Sequence, residues 1–201
     1  YVLVFIRAGA IIFSVPIFGS KDFPVMAKMG LACTIAWIVY PTVPIPTELY
    51  SGRLLTLVPA MVSEILLGIL IGFTARLFFE AVQLGGQLSG FQMGFGIVNV
   101  LDPVTGENFS IISQVQNLFA IMLFLGANLH HWFFKAIVLS FERIPLFHCT
   151  LSPALFQELC MISASIFVIA VKLAAPIMAV LLFSDFALGI LNRAAPQMHI
   201  F

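Results

Sequence analysis

Three charged residues lie inside long apolar runs of the sequence, and they are the first candidates for chemistry. They are Glu64, Lys172 and Asp185. A lone charge at the centre of a bilayer is costly, so each of them needs a partner or water. A proton relay and a set of salt bridges, within the chain or to other subunits, both meet that need. Lys172 and Asp185 are thirteen residues apart, too far to pair along one helix, and we favour buried salt bridges over the relay.

Catalytic and metal-binding patterns are absent from the sequence. His130 and His131 are adjacent, so on a helix they point about 100° apart and do not share a metal comfortably. Anchoring at a membrane interface beside Trp132 and Lys135 suits them better. Three cysteines without a C-x-x-C pair indicate neither a disulfide framework nor a zinc site. With no nucleophile motif, phosphate loop or H-E-x-x-H sequence, we expect a protein that is not an enzyme and holds no cofactor or metal.

The composition excludes a water-soluble domain. Apolar residues make up 61% of the 201 positions and charged residues only 9%, against about half and a quarter in ordinary globular proteins. Such a chain must place much of its exterior against lipid or other apolar subunits. Nine basic and nine acidic residues, without a basic cluster, give no support for nucleic-acid binding. The composition therefore predicts an integral membrane protein.

Apolar runs of roughly 20 residues, long enough to cross a bilayer, recur between short polar breaks. They predict an all-α, multi-helix protein with kinked helices and helical hairpins, folded as a single membrane domain over residues 1–201. The predicted helices cover residues 1–18, 24–39, 54–94, 110–139 and 155–191. The last would be about 55 Å long if straight, nearly twice the hydrocarbon core. It must either kink at Pro176 or fold back as a hairpin, and we favour the kink. The charges in the breaks give no signal for membrane orientation.

Glycine spacing is the strongest physical signal in the sequence. Gly68 and Gly72 form one G-x-x-x-G pattern, and Gly86, Gly90 and Gly94 form a second with an extra repeat. This spacing puts the glycines on one helical face, where another backbone can approach closely. A single G-x-x-x-G pattern also occurs by chance in an apolar chain, so the first pair is weaker evidence than the triple repeat. Each interior glycine costs a helix about 1 kcal/mol relative to alanine, so packing or bending must offset that cost. We predict close helix packing at Gly68, Gly72, Gly86 and Gly90.

Residues 95–109 form an apolar, glycine-flanked segment around a turn-like sequence at 102–106. A plain helix connector explains the turn by itself. Irregular backbone at membrane depth, however, survives only where it is buried in protein or lines a cavity, which suits a pore plug. The predicted plug residues are Phe95, Ile97, Val98, Val100, Leu101 and Phe109. The predicted hinge and turn residues are Gly94, Gly96, Asp102, Pro103 and Gly106, with Asp102 as a cap rather than part of the seal.

Several consecutive pieces of the chain resemble the FliR family of the flagellar type III export apparatus. Each piece is weak by itself, but their ordered combination covers most of the chain and is specific. The pieces are residues 64–79, Gln83-Leu84-Gly85-Gly86-Gln87-Leu88, Gln92-Met93-Gly94-Phe95-Gly96 leading to Asp102-Pro103, Ser113-Gln114 with 118–125, Asn128-Leu129-His130-His131 with 140–146, and residues 185–197.

This resemblance implies a place in a helical, cone-like export gate, a hetero-oligomer. A single FliR copy would join several copies of FliP and FliQ, with FlhB and FlhA as further neighbours. Unfolded flagellar proteins would pass through the gate, across the bacterial inner membrane at the flagellar basal body, and the loop over residues 95–109 would lie in its pore. The first part of the family resembles FliP, and its last part is a FliQ-like hairpin that we expect this chain to lack.

Three alternatives stay open at the level of sequence. One is the equivalent subunit of a virulence injectisome, although the adjacent histidines and the glutamine-rich passage look more flagellar. A second is a small-molecule channel or secondary transporter, which broken helices and intramembrane charges also fit. No internal repeat supports it. The third is a membrane assembly factor without a role in a pore.

Overall fold

A computed structural model describes residues 1–19, 23–43, 54–94, 110–146 and 153–194. Nearly all of these residues are helical, and no strand occurs among them, so the predicted all-α fold class is confirmed. The elements are α1 (Val2–Ser14), α2 (Pro16–Gly19), α3 (Val25–Val39), a short 3-10 helix (Tyr40–Thr42), α4 (Leu54–Gln92), α5 (Ile111–Gly126), α6 (Leu129–Arg143) and α7 (Pro153–Ala194).

Three helical stretches in the described part of the chain are long and apolar enough to cross a membrane. They are Val25–Thr42, Leu57–Gln92 and Pro153–Ala194. The pair α5 and α6 makes a fourth candidate span if its two bent halves are counted together. The chain is therefore an integral membrane protein.

Two of the predicted helices are broken in the structure. The helix predicted over 110–139 is in fact α5 and α6, bent by 73°. The bend lies at Asn128, whose φ of 57° is left-handed, a conformation that asparagine tolerates better than most residues. The helix predicted over 1–18 stops at Ser14 because Pro16 disfavours helical backbone at Val15, which is extended. Pro16 then opens α2, at a position where its missing N–H costs least.

Helix α7 runs for 42 residues with Pro176 inside it. Its length, about 63 Å at 1.5 Å per residue, is twice the thickness of a hydrocarbon core. No break divides it, so the alternative of two short arms folded as a hairpin is wrong. The structure thus has one long helix where the sequence left two arrangements open.

The chain forms two compact units, and a single membrane domain over residues 1–201 stays a prediction. Unit 1 comprises Tyr1–Phe79 and Ile121–Ser163, and unit 2 comprises Glu80–Ala120 and Ala164–Phe201. The core of unit 1 is built where one face of α1 packs on α3 and α6, because apolar residues three and four apart share a helical face. Its buried members include Val4, Ala8, Ile11, Ile12, Ala32, Ala36, Ile137 and Phe141.

Candidate functional site

A buried ion pair links α1 to α4 in unit 1. Arg7 Nε donates a hydrogen bond to Glu64 Oε2, and both side chains are almost fully excluded from solvent, with exposures of 1% and 0%. Neither α1 nor this part of α4 contains another charged residue among Val2–Ser14 and residues 54–75. The pair therefore satisfies the charge of Glu64, which the sequence marked as needing a partner.

Arg7 also holds the end of α6. Its Nη1 donates to the carbonyl oxygens of Ser140 at 3.0 Å and Ile144 at 2.8 Å, and its guanidinium carbon lies 4.4 Å from the centre of the Phe141 ring. The Ser140 carbonyl also accepts a hydrogen bond from the backbone N–H of Ile144 at 3.0 Å. The carbonyl groups at the end of a helix carry partial negative charge, so a cation there is favourable. One guanidinium thus joins three helices of unit 1.

Arg7 was not among the charged residues predicted to be functional, although a signal for it exists in the sequence. Arg7 is the one charged residue of the apolar helix α1, which is the same argument that marked Glu64 in α4. Because α1 has only 13 residues, a charged residue within it is easily taken for one that lies at the end of a helix. Its role became visible only through partners 57 and more than 130 positions away.

Lys172 and Asp185 are both exposed on α7. The burial predicted for these two charges therefore does not occur within the described chain. Lys172 lies two residues from Ala170 and from Ala174, the buried residues of α7, and so about 200° around the helix from each. Its side chain faces away from the surface that α7 buries. The pairing of both charges in an assembled complex stays a prediction.

The first glycine pair lies where α4 crosses α1 in unit 1. A Cβ atom on Gly68 would lie 2.9 Å from the carbonyl oxygen of Arg7, and one on Gly72 would lie 3.0 Å from that of Ile11. Real Cβ atoms rarely approach backbone so closely. The missing side chains let the two backbones meet, as the G-x-x-x-G spacing predicts. This contact also brings Arg7 and Glu64 together, because Glu64 lies one turn before Gly68 on α4 and the carbonyl oxygen of Arg7 faces Gly68.

The second glycine set lies where α4 meets the start of α5 in unit 2. A Cβ atom on Gly86 would lie 2.5 Å from Ser113 Cα, and one on Gly90 would lie 2.8 Å from Ser110 Cβ. Gly94 differs, because its φ is 82° and a Cβ atom there would meet nothing within 4 Å. Gly94 follows the last residues of α4 in the left-handed conformation that commonly ends helices. It is a terminator of α4 rather than a third packing position.

Gly85, which was not predicted to be a packing position, contacts α7 within unit 2. A Cβ atom on Gly85 would lie 3.0 Å from the carbonyl oxygen of Ala170 and 3.2 Å from Leu173 Cβ. Successive glycines therefore open two faces of α4, one for α5 and one for α7. Adjacent residues on a helix point about 100° apart, which explains how Gly85 and Gly86 serve different neighbours.

The predicted plug lies outside the described residues. This applies to Phe95, Ile97, Val98, Val100, Leu101 and Phe109, and to the turn residues Gly96, Asp102, Pro103 and Gly106. Gly94 is the only predicted plug or hinge residue that the structure describes.

The whole chain matches one family of known proteins. The model described as "Bacterial export proteins, family 1" matches residues 1–201. The chain belongs to this export family. It is 34% identical to the flagellar biosynthetic protein FliR of Escherichia coli (strain K12) over 197 residues, which cover 98% of the chain and 74% of that protein. It is 33% identical to FliR of Bacillus subtilis (strain 168), with 100% and 78% covered. The predicted FliR resemblance is thereby confirmed.

A protein with a different name is also similar to this chain. The surface presentation of antigens protein SpaR of Shigella sonnei is 34% identical over 142 residues, which cover 70% of this chain and 54% of that protein. The FliR proteins of Escherichia coli and Bacillus subtilis match more of the chain at nearly the same identity. The similarity that spans nearly the whole of this chain is thus to FliR proteins.

Proposed function

We propose that this protein is a structural, channel-forming subunit of the flagellar type III export gate. In this role one copy assembles with FliP and FliQ, next to FlhB and FlhA, in the bacterial inner membrane at the flagellar basal body. Unfolded flagellar proteins pass through the gate. The observation that carries the proposal is the 34% identity to a FliR protein over 98% of the chain.

The exterior of the chain supports a role inside an assembly. Helix α7 buries only Ala170 and Ala174 in the described residues, and on α3 the side chain of Trp37 is 75% exposed. An exposed apolar surface of this extent needs lipid or other subunits to cover it. Lys172, within the apolar helix α7, favours subunits over lipid on at least part of that surface.

The equivalent injectisome subunit is the second candidate, because SpaR matches 70% of the chain. Deleting the gene and assaying the culture medium separates the two roles. The flagellar role predicts that hook and filament proteins no longer appear outside the cell and that the cell stops swimming. Loss of virulence effectors with normal swimming would support the injectisome role. Normal secretion of both classes would contradict the export function.

Deleting Ile97–Leu101 is expected to leave the complex assembled and to let small ions cross the membrane. Four of the five residues of this segment are apolar, and a narrow hydrophobic constriction excludes water and ions by dewetting. Ion conductance of membranes carrying the deletion, compared with wild type, is the measurement. Replacing the apolar residues of this segment by serine keeps its length and should also cause a leak. An assembled deletion complex as tight as wild type would leave the segment a plain connector.

Replacing Lys172 with methionine is expected to lower the yield of the purified complex. Methionine keeps the length of the side chain but leaves an acidic partner in another subunit without its counter-charge, a loss of about 3–5 kcal/mol for a buried pair. Replacing Asp185 with asparagine should act in the same direction. Arg193→Met is the control, because Arg193 lies in the last turn of the same helix, at its end rather than within the apolar run. If Lys172→Met assembles as well as the control, the predicted pairing is wrong.

A further inference from the structure

A narrow band of uncharged amide side chains runs along α4 and α5 in unit 2. On α4 it consists of Gln83 and Gln87, which are four residues apart and share a face. On α5 it consists of Gln114 and Asn117, three residues apart. We call these four residues the amide face. Gln114 is exposed and the other three are half-buried, so all four reach the surface of the unit.

The packing of the two helices brings the four amides to one side. Gly86 lies beside Ser113 and Gly90 beside Ser110, so the numbering rises along α4 as it falls along α5, and the helices are antiparallel. Successive residues turn by about 100° in a helix. On each helix, the amides lie further around the helix from this line of contact, in the direction in which the residue numbers increase. Because the two helices run in opposite directions, this turn brings the amides of both helices to the same side of the pair.

The surroundings make this band unusual. Helix α4 belongs to the apolar candidate span Leu57–Gln92, and the far side of α5 carries Phe119, which is 61% exposed. An amide without hydrogen-bond partners costs several kilocalories per mole in an apolar solvent, so the band is unsuited to lipid. The apolar side of α5 is suited to lipid or to an apolar subunit. The amide face needs a polar occupant.

The chemistry of the band fits one kind of polar occupant especially well. An unfolded polypeptide carries a free N–H and C=O group on almost every residue, and these groups need partners wherever water is limited. Glutamine and asparagine both donate and accept hydrogen bonds. Because they are uncharged, they hold neither acidic nor basic stretches strongly. An amide surface can therefore serve passing chains of any sequence.

We propose that the amide face lines the export path and contacts the backbone of the polypeptide in transit. The inference rests on the proposed export function and adds the surface and the chemistry of contact. The amide face differs in role from the plug. The plug closes a gate that holds no substrate, whereas the amide face contacts a polypeptide that is passing through the gate.

Photo-crosslinking in the assembled complex tests this proposal. A photoreactive amino acid is placed at Gln87 or Gln114, and an export substrate is stalled by fusing it to a tightly folded domain. Phe119 is the matched control, since it is exposed on the opposite side of the same helix as Gln114. We expect cross-links to the stalled substrate from positions 87 and 114, and none above background from position 119.

Three outcomes would overturn the inference. Cross-links from positions 87 and 114 to another subunit, equal with and without substrate, would make the band a subunit interface. Cross-links to lipid would place it on the outside of the complex. Substrate cross-links that are as strong from position 119 as from position 114 would show that the substrate does not contact the amide face specifically. None of these results touches the export function itself, which the gene deletion tests independently.

Charge provides a second and independent readout. The Gln87→Leu, Gln114→Leu double variant should assemble normally and export several-fold more slowly, because the passing backbone loses polar partners. The Gln114→Glu variant should slow substrates with basic stretches more than substrates with acidic ones. An unchanged export rate in the double variant, or a Gln114→Glu effect that ignores substrate charge, would contradict direct contact.

Discussion

Replacing Arg7 with methionine is expected to destabilise unit 1 so strongly that the chain no longer enters the complex. The substitution leaves Glu64 buried without its cation and removes the donor to the carbonyl groups of Ser140 and Ile144. Breaking a buried pair by removing one partner costs about 3–5 kcal/mol. A whole domain is stable by only about 5–15 kcal/mol. The measurements are the amount of chain in the purified complex and the complex's resistance to thermal unfolding.

Partner variants separate the two functions of Arg7. In Arg7→Met, Glu64→Leu the buried carboxylate is gone, so the double variant should recover part of the stability lost by Arg7→Met. It should not recover all of it, because the end of α6 still lacks its donor. Glu64→Gln keeps both Arg7 and a hydrogen-bond acceptor and should be the mildest variant. Full recovery in the double variant would show that the contact with α6 contributes nothing, and a stable Arg7→Met protein would contradict the whole account.

Replacing Gly90 with leucine is expected to prevent α4 and α5 from packing and to lower complex yield and export together. Even the first atom of the new side chain would overlap Ser110, whose Cβ lies 2.8 Å from the position of a Cβ on Gly90. Overpacking a tight contact costs about 1–3 kcal/mol or more. Gly90→Ala should show the same defect in weaker form, because it adds that first atom alone. Complex yield and export rate are measured in the same cells.

Gly30→Ala is the matched control for this series. Gly30 lies within α3, and a Cβ atom there would meet nothing within 4 Å. Alanine favours helix over glycine by about 1 kcal/mol, so this variant should be neutral or slightly stabilising. A Gly90→Leu complex that assembles normally would show that α4 and α5 do not need their close approach. A Gly90→Leu complex that assembles but does not export would point instead to a direct role in transport.

The general architecture could be predicted from the sequence because it depends on local quantities. Bilayer crossing requires a run of apolar residues of sufficient length, and that length can be counted along the chain. The predicted helices over 54–94 and 155–191 therefore lie close to α4 and α7. The spacing of Gly86 and Gly90 marked a face of α4 because helical geometry repeats regularly. The same local information fitted Gly94 equally well, and only its backbone angle shows that it ends the helix.

The candidate site depended on contacts that spacing does not encode. Glu64 was predicted to need a partner, but that partner, Arg7, lies 57 residues away in the sequence. The third helix of the site, α6, contacts Arg7 through the carbonyl groups at its end. The bend at Asn128 was missed because apolar residues lie on both sides of it. An apolar run predicts only that its side chains avoid water. A bend and an ion pair depend on which distant groups the fold brings together. For this protein the sequence by itself determined the class and the helical faces, and only the tertiary structure decided which charges those faces bury.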